Sequence, residues 1–211
     1  MRFAVCISGH VRLFEECFPS LAKNVLDGRD CDVFVHTWRS REYRTEEWTR
    51  GLARVTVTEE ELRASITNLV ELRVEEDDSV RRNPAWAMFR KVFLCDQLRS
   101  SWAEREGVVH DLVVRARPDI VWQTRLDLES MVGNDVVNVP GRGGFGGIND
   151  MIAVAPPAVM TRVYASLFEV APLVFHPETR LRDHIASSGT AVVQFNLDFI
   201  ILRPNGNKFS F

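Results

Sequence analysis

The stretch DLVVRARPDIVW, Asp111 to Trp122, sets Arg115, Arg117 and Asp119 at alternate positions behind the apolar run Leu112, Val113 and Val114. Alternate side chains of a strand share one face. Two cations and a carboxylate at the end of a buried strand are costly to desolvate unless they are paired or hold a ligand. Two readings are open at this point. Arg117 and Asp119 form a structural ion pair with Pro118 ending the strand, or they form a diphosphate site. In the second, Asp119 ligates a hard divalent cation through oxygen and Arg117 neutralises phosphate charge. Arg115, deeper in the strand, reads as a structural partner.

Other residues fit the same chemistry. In ISGHVR, Gly9 lets the backbone approach a ligand closely and Arg12 can give paired hydrogen bonds to a phosphate. The alternative is a tight turn with an exposed arginine, and neither dinucleotide nor phosphate-loop glycine fingerprint is complete. Lys91 falls near the start of a long helix, where a cation gains nothing from the helix dipole; it is either a phosphate ligand or an ordinary exposed lysine. The segment GGFGGIND is glycine-dense, either a surface loop or one that moves over substrate. Asp150 behind it is the second carboxylate for the cleft, with a turn-capping or strand-start role as the alternative. His36 and Trp38 read as edge-of-core residues or as flanks of a base or sugar. His10 is undecided, His184 reads as surface or core, and the charged run REYRTEEWTR as a solvated face.

These residues need elements to hold them. Arg2 to Ile7 and Cys31 to Trp38 are apolar strands, and a helix is expected after Pro19 with Gly28 as its stop. Thr58 and Glu61 form a capping box before Leu62 and Ile66. LVELRVEE alternates as a strand, Asn83-Pro84 opens a helix running to about Glu106, and Gly107 ends it. DVVNVP and NDMIAVAP flank the glycine-rich segment, helices are expected over 157–170 and 177–187, and AVVQFNLDFIILR reads as one final strand. Repeated strand–helix–strand units predict an α/β fold, a mostly parallel or mixed central sheet with helices on both faces, in a single domain over 1–211. In such sheets ligands bind at the carboxyl ends of the parallel strands, where SGHVR, HTW and RPD would meet.

The chain has 211 residues, 45% of them hydrophobic and 26% charged, with a formal charge of −3. That is globular composition, and the charge argues against a general nucleic-acid binder. No apolar run approaches the roughly 18 residues of a membrane span. Cys6, Cys17, Cys31 and Cys95 lack metal or redox spacing and sit in apolar patterns, which predicts reduced core thiols in a cytoplasmic protein.

Together, ISGHVR, DVFVHTW, MFRKVFLCDQLR, DLVVRARPD, GGINDMIAVAPP and PETRLRDHI, in that order, resemble small viral and bacterial glycosyltransferase domains of the GT-A type. That family includes the amino-terminal domain of a multidomain chlorella-virus enzyme. The resemblance covers most of the chain. It implies a GT-A-like fold and transfer of a sugar from a nucleoside diphosphate sugar to the hydroxyl of a glycan or other acceptor. It implies that Ser8, Gly9 and Arg12 form the first donor-binding turn, and it moves Asp150 towards sugar and acceptor. Arg117 to Asp119 matches the position where such enzymes carry Asp-x-Asp around Mn²⁺ or Mg²⁺, but Arg117 replaces the first acid, so Asp119 is the one metal ligand implied. Rival readings are a nucleotidyltransferase or phosphatase acting with a metal, and a non-catalytic nucleotide- or carbohydrate-binding module.

Overall fold

A computed structural model of the chain describes residues 1–41, 56–76, 84–170 and 176–211. Its centre is a seven-stranded mixed sheet in the order β3-β2-β1-β4-β7-β6-β8. The strands are β1 (Arg2–Ser8), β2 (Asp30–Trp38), β3 (Leu69–Glu75), β4 (Leu112–Ala116), β6 (Val137–Pro140), β7 (Ile152–Ala155) and β8 (Val192–Phe195). The four on the β3 side are parallel, and β7 runs against β4 and β6. A second sheet, in the order β10-β9-β5, joins β5 (Ile120–Trp122), β9 (Phe199–Leu202) and β10 (Lys208–Ser210).

Side-chain alternation divides the core in two. Phe3, Val5 and Ile7 of β1 pack with α1 (Phe14–Leu21) and α2 (Glu59–Ser65). Ala4 and Cys6 face the other way, toward α3 (Pro84–Glu106), the irregular helical run of α4 (Pro157–Val159), Met160–Ala165 and α5 (Leu167–Val170), and α6 (Pro177–Ser187). The sheet is therefore apolar on both faces and covered on both, as buried strands require.

Local chemistry accounts for many of the boundaries. Thr58 accepts from the amide of Glu61 while Glu61 accepts from the amide of Thr58, so the expected capping box is present. Gly107 ends α3 with φ of +65°. The proposed Asn83 cap lies outside the described residues. All four cysteines are free and buried.

Three expectations are corrected. The first helix begins at Phe14, before Pro19, and runs through the proline into the wider turns Ala22–Leu26. The final apolar segment is two strands in different sheets, β8 and β9, broken at residues 196–198. Arg41, at the head of the charged run, is buried and gives both ends of its guanidinium to Glu15 at 2.9 and 2.6 Å. The remainder of that run lies outside the described residues.

Candidate functional site

A cleft of about 590 Å³ opens at the carboxyl ends of β1, β2 and β4, the edge where an α/β sheet presents ligand sites. Because β7 is antiparallel to its neighbours, the turn that leads into it, and not the one that leaves it, reaches this edge. Asp150 is delivered in that way. The small sheet closes the remaining side with Ile201, Arg203, Phe209 and Phe211.

Gly9 turns the chain out of β1 with φ of +127°, and a Cβ there would stand 3.4 Å from the Pro118 ring. Its carbonyl accepts from the hydroxyl of Thr37 at 2.7 Å. This turn brings Ser8, Gly9 and Arg12 to the cleft wall as expected. The Ser8 hydroxyl is buried and has no hydrogen-bond partner among the described residues.

Arg117 and Asp119 do not continue the strand alternation. β4 ends at Ala116, and the turn that follows lets Arg117 curl back onto Asp119, its Nε and Nη2 donating at 3.1 and 2.8 Å. Arg12 donates to the same carboxylate at 2.8 Å, and Arg203, arriving from the end of β9, donates to it as well. Asp119 is wholly buried. Burial alone would push its pKa up, but the three guanidiniums overcome that and hold the carboxyl well below the ordinary carboxylate range. The metal role expected of Asp119 does not fit this arrangement. Its oxygens already accept from three cations, and a divalent ion at ligand distance would lie against them. Among the described residues no group of three histidine, cysteine or acidic side chains could hold a metal ion.

Lys91 is also corrected. It is neither exposed nor on the cleft wall: Nζ is fully buried, donating to the Thr37 carbonyl at 3.1 Å and to Glu75 at 2.7 Å. It lies 4.6 Å from the centre of the Trp38 ring, on which His10 stacks at 4.3 Å. Lys91 therefore anchors the aromatic wall and does not touch the space in front of it. Of the His36–Trp38 pair, Trp38 lines the cleft, while His36 is buried near Glu75.

Asp150 lines the cleft and is 5% exposed. The turn-capping role belongs to its neighbour: Asn149 accepts from the amides of Met151 and Ile152 at 2.8 and 2.9 Å. Burial raises the Asp150 pKa, and the charges of Arg117 and Arg115 offset part of that rise. Arg115 is 1% exposed and lines the cleft, with Nη1 on the Met151 carbonyl at 3.1 Å. Its Nε and Nη2, and the buried Tyr164 hydroxyl, have no hydrogen-bond partner among the described residues.

The glycine-rich segment is not a loose flap. A Cβ on Gly147 would fall 2.1 Å from the Glu178 carbonyl carbon, so the loop lies directly against the start of α6. Ile148 donates to the Glu178 carbonyl at 3.2 Å, and Arg182 to the Gly146 carbonyl at 2.9 Å.

Arg203, Glu178 and the phenylalanines Phe145, Phe209 and Phe211 are cleft residues that sequence reasoning missed. For Arg203 a signal exists: an apolar run followed by Arg-Pro occurs twice, as ARP at Ala116–Pro118 and LRP at Leu202–Pro204. Glu178, half-buried at the cleft, has its pKa raised by burial and further by Asp150. The phenylalanines form a rim, Phe145 edge-on to Phe211 at 5.8 Å and Phe211 stacked on Phe199 at 5.2 Å.

An α/β chain with a charged cleft at the carboxyl edge of a mixed sheet is the class that fold and site define. Residues 1–176 match the family described as a domain of unknown function, DUF7796, and the chain belongs to that family. The matched segment carries Ser8, Gly9, Arg12, Arg117, Asp119 and Asp150; Glu178, Arg203, Phe209 and Phe211 lie beyond it. No curated protein matches the chain. Among the described residues, no helix is long and apolar enough to cross a membrane.

Proposed function

We propose that this chain is a glycosyltransferase of GT-A type, which moves a sugar from a nucleoside diphosphate sugar to an acceptor hydroxyl. One observation carries the reading: a single cleft holds a fixed cluster of guanidiniums and, beside it, a buried carboxylate, Asp150, that forms no salt bridge among the described residues. Diphosphate departure needs positive charge where the leaving group develops its own, and Arg12, Arg117 and Arg203 supply it without reorganising. The anomeric carbon breaks its bond to the diphosphate oxygen and bonds to the acceptor oxygen. In an inverting reaction the acceptor proton passes to Asp150, whose raised pKa suits a base better than an ordinary aspartate. In a retaining reaction Asp150 orients donor or acceptor. The phenylalanine rim, with Phe145 and Phe209 exposed, offers apolar faces to a base or a sugar ring.

The test is a panel of nucleoside diphosphate sugars, each incubated with saccharide acceptors and followed by product analysis. Release of nucleoside diphosphate only when acceptor is present supports the reading. Release of inorganic phosphate or pyrophosphate makes the protein a phosphatase or nucleotidyltransferase, and tight binding without turnover makes it a binding module.

A further inference from the structure

Resting on that reading of the cleft, we infer that the arginine cluster on Asp119 takes the place of a divalent cation: the guanidiniums hold the diphosphate directly, and Asp119 is a positioning residue that aims them.

Exposure separates the two roles. The Asp119 side chain is 0% exposed, whereas those of Arg12, Arg117 and Arg203 are 10%, 15% and 17% exposed. The three arginines line the cleft and Asp119 does not. The cations are therefore the surface a ligand meets, and the carboxylate is what lies behind them. A metal-binding aspartate would have the reverse order, its oxygens facing the ligand and any cation partner to the rear.

The cluster also has the geometry the task requires. Arg117 meets Asp119 through two nitrogens, to one oxygen at 3.1 Å and to the other at 2.8 Å. That fixes the guanidinium plane, and a fixed fork matches phosphate oxygens better than a mobile ammonium does. Its three arginines come from three separate turns, after β1, between β4 and β5, and after β9. Gathering them at one buried carboxylate offsets their mutual repulsion and holds them in place before any ligand arrives.

Phosphate oxygens and waters can complete a metal's shell around one carboxylate, so each acid at this cleft counts separately; besides Asp119, Asp150 is the acid buried there. Asp150 lies in the field of Arg115 and Arg117. Arg117 acts on both carboxylates, so a cation drawn to either would be repelled by it.

The experiment is calorimetric titration of the full chain with a set of nucleoside diphosphates and with inorganic pyrophosphate, once in EDTA and once with Mn²⁺. Equal affinity in both buffers, falling with added salt, is the expected result. Arg117→Gln and Arg203→Gln should each weaken binding about 10- to 100-fold in both buffers, the usual worth of a hydrogen bond to a charged group. Asp119→Asn should weaken it in both buffers too, because the guanidiniums lose their anchor. If Asp119→Asn does not fold, the two arginine variants decide, since each leaves the carboxylate two partners. Binding that requires Mn²⁺ and disappears in Asp119→Asn, with Arg203→Gln unaffected, overturns the inference, as does failure of every diphosphate to bind. Metal-free diphosphate binding without sugar transfer supports the inference and sinks the proposed function. Sugar transfer that needs Mn²⁺ does the opposite.

Discussion

Arg115 sits in the interior with one nitrogen hydrogen-bonded and two without partners among the described residues. Burial pulls its pKa down, the sign of a cation held where its charge is poorly solvated. Such a residue costs stability and is worth keeping when a ligand completes its hydrogen bonds. Arg115→Met keeps the length and removes the charge. It should raise stability by about 1 to 3 kcal/mol, the cost of leaving buried donors unsatisfied, and should lower sugar transfer. Thermal unfolding and turnover on one preparation check this; a lower melting temperature would mean that solvent already satisfies the guanidinium. At Asp150 the expectation is separable by kinetics. If Asp150 serves the acceptor as proposed, Asp150→Asn should reduce turnover by about 10² to 10⁴ while nucleoside diphosphate affinity changes little. Loss of affinity in parallel would place it among the groups that hold the diphosphate.

The glycine-rich loop and α6 behave as one element. Gly147 has no room for a side chain, since the Glu178 carbonyl occupies the space. Gly147→Ala must push the loop from the helix, and overpacking of this kind costs about 1 to 3 kcal/mol. A melting temperature lowered by several degrees, with reduced activity from a displaced Glu178, is the expected result; an unchanged melting temperature would show the loop yields without cost. At this scale the sequence was legible where signals are local. The Thr58–Glu61 box and Gly107 are short-range devices, and they mark helix ends correctly. Where the signal is an apolar run, it failed. AVVQFNLDFIILR has apolar residues in both halves, and apolar character does not say which sheet takes them; only Asn196 and Asp198 hint at the break. The loop itself looked mobile because glycine permits freedom, but glycine also permits close contact, and composition does not distinguish the two.

Across the whole molecule the buried ionisable groups predict how stability follows pH. His36, His110 and His184 all have lowered pKa values, burial being the largest cause in each. A histidine kept neutral by folding binds fewer protons than in the unfolded chain, so its contribution is lost as pH falls below about 6.5. Asp119 and Glu75 are lowered carboxyls; burial opposes the shift, but Lys91 and Arg90 hold Glu75 at about 2. Their contributions persist above the unfolded value and are lost as pH falls below about 4. Asp150 and Glu178, both raised, run the other way: their penalty is relieved as pH falls towards about 4, ahead of that second loss. Unfolding by denaturant across pH 7 to 3 should therefore show two declines, and His36→Gln should flatten the first; a single decline below pH 4 would exclude the histidines. The position of the cleft was legible at this scale, from strand order alone, and so were the residues of its first turn. The gathering of arginines on Asp119 was not, because it involves Arg203, and no local pattern links the two. Asp119 meets Arg12 across 107 residues of chain and Arg203 across 84. Contacts so distant close large loops and form after local ones. Interactions missing from the folding transition state act on the rate of unfolding, not on that of refolding. A cluster that forms after the transition state acts as a kinetic latch between the two sheets: in stopped-flow experiments Arg203→Gln should then speed escape from the native state while its refolding arm overlays that of the parent chain, and a slowed refolding arm would place the cluster in the folding nucleus.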